Sequence, residues 1–227
     1  MDITCNQLTD FLFAKADMNK IPLAGSFELT PRCTLDCKMC YIHRRSSDKS
    51  AIAQEKDTKF WIDLATKARD AGMLILLLTG GEPLLRSDFD EIYRECKKLG
   101  LLVSVNTNGL LITDEKIKFF ADNPPQKLNV TLYGASEETY RNLCGNGKAY
   151  EKVIDAIRKL KAAGVSLKLN YTVTQYNLHD AEKIYEFARE LELPVQTVTY
   201  MFPPIRRDPS RIGENERFTP EESARYM

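Results

Sequence analysis

The pattern of the chain predicts an α/β fold, a parallel sheet covered by helices. Three observations carry this prediction. Stretches with helical periodicity alternate with short apolar runs. A glycine or proline separates most pairs. Polar and glycine-rich residues collect where the apolar runs end. The first strand is expected at Ser26–Thr30. A helix over about residues 50–71 follows, with Trp61, Leu64, Ala65 and Ala68 at helical spacing and Gly72 as its C-cap. The run Met73–Leu78 has the continuous apolar character of a strand buried on both faces. Phe89, Ile92, Cys96 and Leu99 then mark one helical face, Gly100 the break, and Leu101–Val105 the third strand. A helix over about residues 113–121 and the break Pro124-Pro125 lead to a strand at Lys127–Tyr133, with a short helix after Ser136. Val153, Ile154, Ile157 and Leu160 precede Gly164 and a strand at Val165–Val173. Ala181, Ile184, Phe187, Ala188 and Leu191 precede Pro194 and a strand at Val195–Met201. Six strand–helix units are too few for a closed eight-stranded barrel. They leave an open partial (βα)6 TIM-like barrel or a doubly wound open sheet, and in both the chemistry gathers at the carboxyl ends of the strands.

The chain has 227 residues, enough for one sizeable core, and 43% of them are hydrophobic. Thirty-two basic and 32 acidic residues give zero formal net charge. That balance supports neither a nucleic-acid partner nor a charged membrane surface. Met73–Leu78 is the longest apolar run and is far too short to span a bilayer. The N-terminus lacks the basic-then-apolar pattern of an export signal, so a cytoplasmic location is expected. Residues 1–24 read as an N-terminal extension and 25–202 as the core. Residues 203–227 read as an extended loop followed by the start of a helix, with Thr219 as N-cap and Pro220 at the first helical position. The chain stops just inside that helix, so a truncated piece of a longer protein is expected.

Three of the six cysteines lie within eight residues, as Cys33-x3-Cys37-x2-Cys40. With no export signal, such clustering points to metal binding in a reducing compartment rather than to disulfides. Structural zinc takes four protein ligands, and His43 would have to supply the fourth. Iron–sulfur clusters usually take four cysteines, so three leave one iron open for another ligand, as a catalytic site needs.

The spacing, with the adjacent Lys38-Met39-Cys40-Tyr41, resembles the cluster signature of the radical S-adenosylmethionine (SAM) superfamily. The departure is Met39, where an aromatic residue is common. The resemblance implies a [4Fe–4S] cluster on Cys33, Cys37 and Cys40. Its open iron binds SAM, and one electron cleaves the cofactor to a 5′-deoxyadenosyl radical that abstracts hydrogen from substrate. Gly80-Gly81-Glu82-Pro83, after the second strand, resembles the family's glycine-glycine-glutamate motif. The glycines would let backbone approach the cofactor and Glu82 would receive its ammonium. Asn106 and Asn108, ending the third strand, would lie near the cofactor. The segment Val130–Arg141 is similar to the branch with C-terminal SPASM-type auxiliary-cluster domains, and such a domain is not expected within these 227 residues. By that likeness Thr131 would bond the ribose and Arg141 the cofactor carboxylate. The adenine is expected near Val173 and Met201. The resemblance also fixes the fold expectation as the open partial barrel.

Other residues take plainer readings. Cys96 shares a helical face with Phe89 and Ile92 and belongs to the core. Cys5 and Cys144 are isolated and read as structural or incidental. His43, with Arg44 and Arg45, reads as a solvated surface or substrate-rim element, and His179 as a capping or surface residue. No side chain is assigned a direct catalytic role. The branch resemblance implies a peptide or protein substrate and an electron donor such as flavodoxin or ferredoxin. An enzyme of small-molecule or cofactor biosynthesis is the second reading, and a non-catalytic iron–sulfur or zinc protein the third.

Overall fold

The computed structural model describes residues 5–202, 204–207, 210 and 218–224. Its strands in chain order are β1 (Ala24–Glu28), the two-residue β2 (Arg32–Cys33) and β3 (Arg44–Arg45), β4 (Ile75–Thr79), β5 (Leu102–Thr107), β6 (Lys127–Thr131), β7 (Leu167–Thr172) and β8 (Val195–Val198). The helices are α1 (Cys5–Met18), α2 (Lys49–Gln54), α3 (Thr58–Asp70), α4 (Phe89–Lys98), α5 (Asp114–Asp122), α6 (Glu137–Cys144), α7 (Ala149–Ala162), α8 (Ala181–Glu190) and α9 (Pro220–Ser223). Six strands form one sheet in the order β1-β4-β5-β6-β7-β8, every neighbour parallel. Strand order follows chain order without reversal. A doubly wound sheet would reverse at its switch point, so the fold is the open partial barrel.

Strand alternation decides what each face does. In β7, Leu167, Leu169 and Tyr171 are buried towards the helices, while Lys168, Asn170 and Thr172 on the other face are only partly so. β5 repeats this with Val103, Val105 and Thr107 against Leu102, Ser104 and Asn106. The second strand was expected to be buried on both faces. Instead Leu76 and Leu78 are fully buried, whereas Ile75 and Leu77 are only half-buried on the inner face, because an open barrel leaves that face incompletely covered. On the helix side, Phe89, Ile92, Tyr93 and Cys96 of α4, Phe120 of α5, and Val153, Ile157 and Leu160 of α7 complete the core. Cys96 is wholly buried there, as its helical face predicts.

The helix expected over residues 50–71 is two helices. The break falls at Glu55–Asp57, where Asp57 accepts from the Phe60 N–H and caps α3. Glu55 leaves the helix to accept from Arg32 Nε (2.7 Å) and from the Thr30 hydroxyl. Arg86 lies 3.6 Å from the same carboxylate and donates to the Leu29 carbonyl (3.2 Å). A side-chain network of this kind outweighs helix propensity over three residues, and it ties α2 to the chain just ahead of Cys33. Gly72 has φ +102°, as its capping role requires, and Ile21 lies where a Cβ would go. Thr219 and Glu222 form a reciprocal capping box at α9, as expected of that helix start. Helix α1 falls in the segment read as an extension. Leu8, Phe11 and Phe13 are exposed along it, so it contributes little to the core. Among the described residues, no helix is long and apolar enough to cross a membrane.

Candidate functional site

A cavity of about 270 Å³ opens at the carboxyl ends of the strands. Its floor comes from one inner-face residue at the end of each of four consecutive strands: Thr79 of β4, Asn106 of β5, Thr131 of β6 and Thr172 of β7. Cys33, Cys37 and Cys40 line one side, with Gly80, Gly81 and Asn108 between them and the strands. Tyr41 and Phe202 meet across the rim, ring centroids 5.5 Å apart.

The cysteine loop is held from several directions. On one side, the Gly81 N–H donates to the Thr30 carbonyl (2.7 Å) and the Glu82 N–H to the Arg32 carbonyl (2.8 Å). A Cβ on Gly80 would stand 2.4 Å from the Thr30 oxygen, and one on Gly81 2.4 Å from the Arg32 oxygen. The glycines are therefore required for contact with the chain entering the loop. On the other side, the Asp36 N–H donates to the Cys144 carbonyl (3.0 Å) and the Lys38 N–H to the Leu143 carbonyl (2.9 Å). Arg207 adds a bond to the Cys37 carbonyl (2.9 Å) and pairs with Asp36.

Cys37 is buried and Cys33 and Cys40 are partly buried, and all three thiols are raised above their ordinary pKa. Cys33 is pushed up to about 12, chiefly by desolvation. Cys40 rises for the same reason. Cys37 rises most through its contact with the Cys144 thiol, while the Tyr133 hydroxyl bonds the same sulfur and opposes the rise. Three cysteine side chains gathered at one cavity form a donor set suited to a metal centre, which takes them as thiolates. Among the described residues, no three His, Cys, Asp or Glu side chains are gathered as they would be around a single metal ion. Three cysteine donors match the ligand count of a cluster that leaves one iron open.

Gly80, Gly81, Asn106, Asn108, Thr131 and the three cysteines thus come together as the sequence suggests. Glu82 does not reach the cavity. Its carboxylate is fully buried and accepts from the Leu84 N–H (3.1 Å), the Thr107 hydroxyl (2.9 and 3.0 Å) and the Asn108 N–H (2.8 Å). Desolvation raises its pKa to about 7 even against those donors. Arg141 does not reach the cavity either. It sits on the outer side of α6, its side chain 62% exposed and 3.6 Å from Glu137, since the buried face of that helix is taken by Tyr140, Leu143 and Cys144. Met201 lines the cavity, but Val173 packs in the core behind it. His43 is not solvated: it is buried, with Asp36 3.5 Å away, and burial lowers its pKa. His179 is exposed beside Thr139, as expected of a surface residue. Cys144 takes the structural of its two readings: it is buried and lies against Cys37. The side chain of Cys5 lies outside the described residues.

Sequence reasoning missed Tyr200 and Phe202; the last strand ends at Val198, short of the expected Met201, so Tyr200 falls in the loop rather than in the strand. It also gave no role to Tyr133, whose position at the end of a strand on the active face was the available clue.

Comparison with known proteins agrees with this geometry. Residues 27–188 match the Radical SAM superfamily. The chain is 34% identical over 193 residues to a protein named AdoMet-dependent heme synthase from Methanosarcina barkeri, covering 85% of this chain and 54% of that one. Among solved structures, Streptococcus suis SuiB bound to precursor peptide SuiA superposes with TM-score 0.76 at 20% identity, over 97% of this chain and 48% of SuiB. The structure of anSMEcpe with bound AdoMet and the Cp18Cys peptide gives TM-score 0.70 at 19% identity, over 90% of this chain and 57% of that one. The chain thus spans about half the length of the relatives it matches. With a match that covers most of its length and a cysteine-lined cavity at the strand ends, the chain belongs to the radical SAM superfamily.

Proposed function

We propose that the chain is the catalytic core of a radical SAM enzyme. Cys33, Cys37 and Cys40 would hold a [4Fe–4S] cluster, and SAM would occupy the cavity over Gly80, Gly81, Asn106, Asn108 and Thr131. The observation that carries this reading is the cavity itself, with three thiols on one wall and the polar ends of four parallel strands as its floor. When bound, the two groups supply a reduced cluster's electron and the 5′-deoxyadenosyl radical that removes hydrogen from substrate. The protein's own residues do the rest. Thr79, Thr131 and Thr172 offer hydroxyls to the ligand, Tyr41 and Phe202 narrow the rim, and buried loop contacts keep the thiols in place. Glu82 supports the wall from beneath. Arg141 would have to leave Glu137 and turn inward to meet the cofactor carboxylate.

For substrate, the relative at 34% identity favours synthesis of a cofactor or other small molecule. The peptide-bound structures stand at 19–20% identity, a level at which likeness speaks for the fold. Modification of a peptide or protein is therefore the second reading, and a flavodoxin- or ferredoxin-type donor would serve either one.

The test is anaerobic. The chain is reconstituted with iron and sulfide, then given SAM and dithionite, and 5′-deoxyadenosine is sought by mass spectrometry. The product should form in the wild type and vanish when the three cysteines become alanine. A cluster that forms but never cleaves SAM would favour the non-catalytic reading.

A further inference from the structure

Asn108 sits between the carboxylate that the cavity does not show and the first cysteine. Its side-chain Nδ2 donates to Cys33 Sγ (3.4 Å) and Thr34 Oγ1 (3.0 Å). The orientation of that amide is fixed, because its Oδ1 accepts from the Leu110 N–H (2.9 Å) and leaves only the NH2 end to face the sulfur. The backbone beneath is fixed as well. Glu82 accepts from the Asn108 N–H, and the Thr107 hydroxyl, itself donating to Glu82, accepts from the Gly109 N–H (3.0 Å). Glu82, Thr107 and Asn108 are all at least 97% buried, so water does not compete for these bonds. The path runs from Glu82 through the Thr107–Asn108 turn to the sulfur of Cys33.

We propose that this path is a redox-tuning device. Asn108 donates a hydrogen bond to the Cys33 sulfur, and Glu82 is the positioning residue that aims it. The inference rests on the cluster reading above and goes beyond it, since it assigns the glutamate after the two glycines a role that needs no contact with the cofactor. Reduction adds negative charge to a cluster and its thiolates. A donor to a ligand sulfur stabilises that charge and raises the reduction potential. A buried, preoriented donor does so more effectively than a solvated one, because it is already aligned and the local dielectric is low.

The test is an EPR-monitored redox titration of the reconstituted cluster without SAM, so that cofactor binding plays no part. Asn108→Leu removes the donor without adding charge and should move the midpoint potential to a more negative value at unchanged iron content. Asn108→Ala serves the same purpose if leucine lowers iron loading. Thr107→Val loosens the grip of Glu82 on the turn without changing any charge; it should move the potential in the same direction by less, and the double variant with Asn108→Leu should match Asn108→Leu, because both act through one bond. A midpoint unchanged in both Asn108 variants, or additive shifts in the double variant, would overturn the inference and leave the enzyme reading standing. A wild-type chain that binds no cluster would overturn the enzyme reading, and this inference with it.

Discussion

At the scale of single residues, Glu82 has the clearest signature. Its pKa in the folded chain is about 7, against an ordinary 4.5, because burial outweighs the three groups that donate to it. The folded state therefore holds this proton more tightly than the unfolded state. The resulting stabilisation is complete below about pH 4.5 and is lost as pH rises to about 7. A shift of this size corresponds to something on the order of 3 kcal/mol. Denaturation of the cluster-free protein should show stability falling across that window, and Glu82→Gln should flatten this part of the profile; an unchanged slope would show that Glu82 is not the titrating group. Little of this was legible beforehand. The identity of Glu82 as an acid after two glycines is plain in the sequence, but the side to which its carboxylate turns depends on Thr107 and Asn108, two strands' ends brought together by folding. The same holds for Cys144, whose meaning comes from a neighbour far away in the chain.

At the scale of elements, the turn after β4 and the helices after the cysteine loop carry the packing. Gly81→Ala would drive a Cβ to 2.4 Å from the Arg32 carbonyl, a backbone atom that cannot swing aside. Overpacking of this kind typically costs about 1–3 kcal/mol. The strain falls on the residue before Cys33, so thermal stability and iron content after reconstitution should drop together. Asp57→Ala removes the cap of α3 and should cost about 1 kcal/mol in denaturant unfolding, with iron content unchanged, since the cap touches no part of the loop. The strands were legible because alternation and glycine breaks are local properties, and each one lies within a few residues of its expected position. The break between α2 and α3 was not, because it answers to Arg32 and Thr30 more than twenty residues earlier. Helix α1 was missed for another reason: its apolar residues stay exposed, so the usual link between periodicity and burial fails there.

At the scale of the whole molecule, the open barrel puts residues from every part of the chain on one face. Alternation along the strands is enough to expect Thr79, Asn106, Thr131 and Thr172 around a common floor. It does not reveal what holds the loop above them. That support comes from the end of α6, through Leu143 and Cys144, and from Arg207, more than a hundred residues after the cysteines they restrain. Closing so long a loop is entropically costly and is repaid only when the intervening units have packed. On the ribosome, at roughly 5–20 residues per second, something on the order of ten seconds separates the emergence of the three thiols from that of their clasp. During that interval they are ordinary accessible cysteines, open to oxidants and stray metal ions, and iron delivery is best timed to follow synthesis.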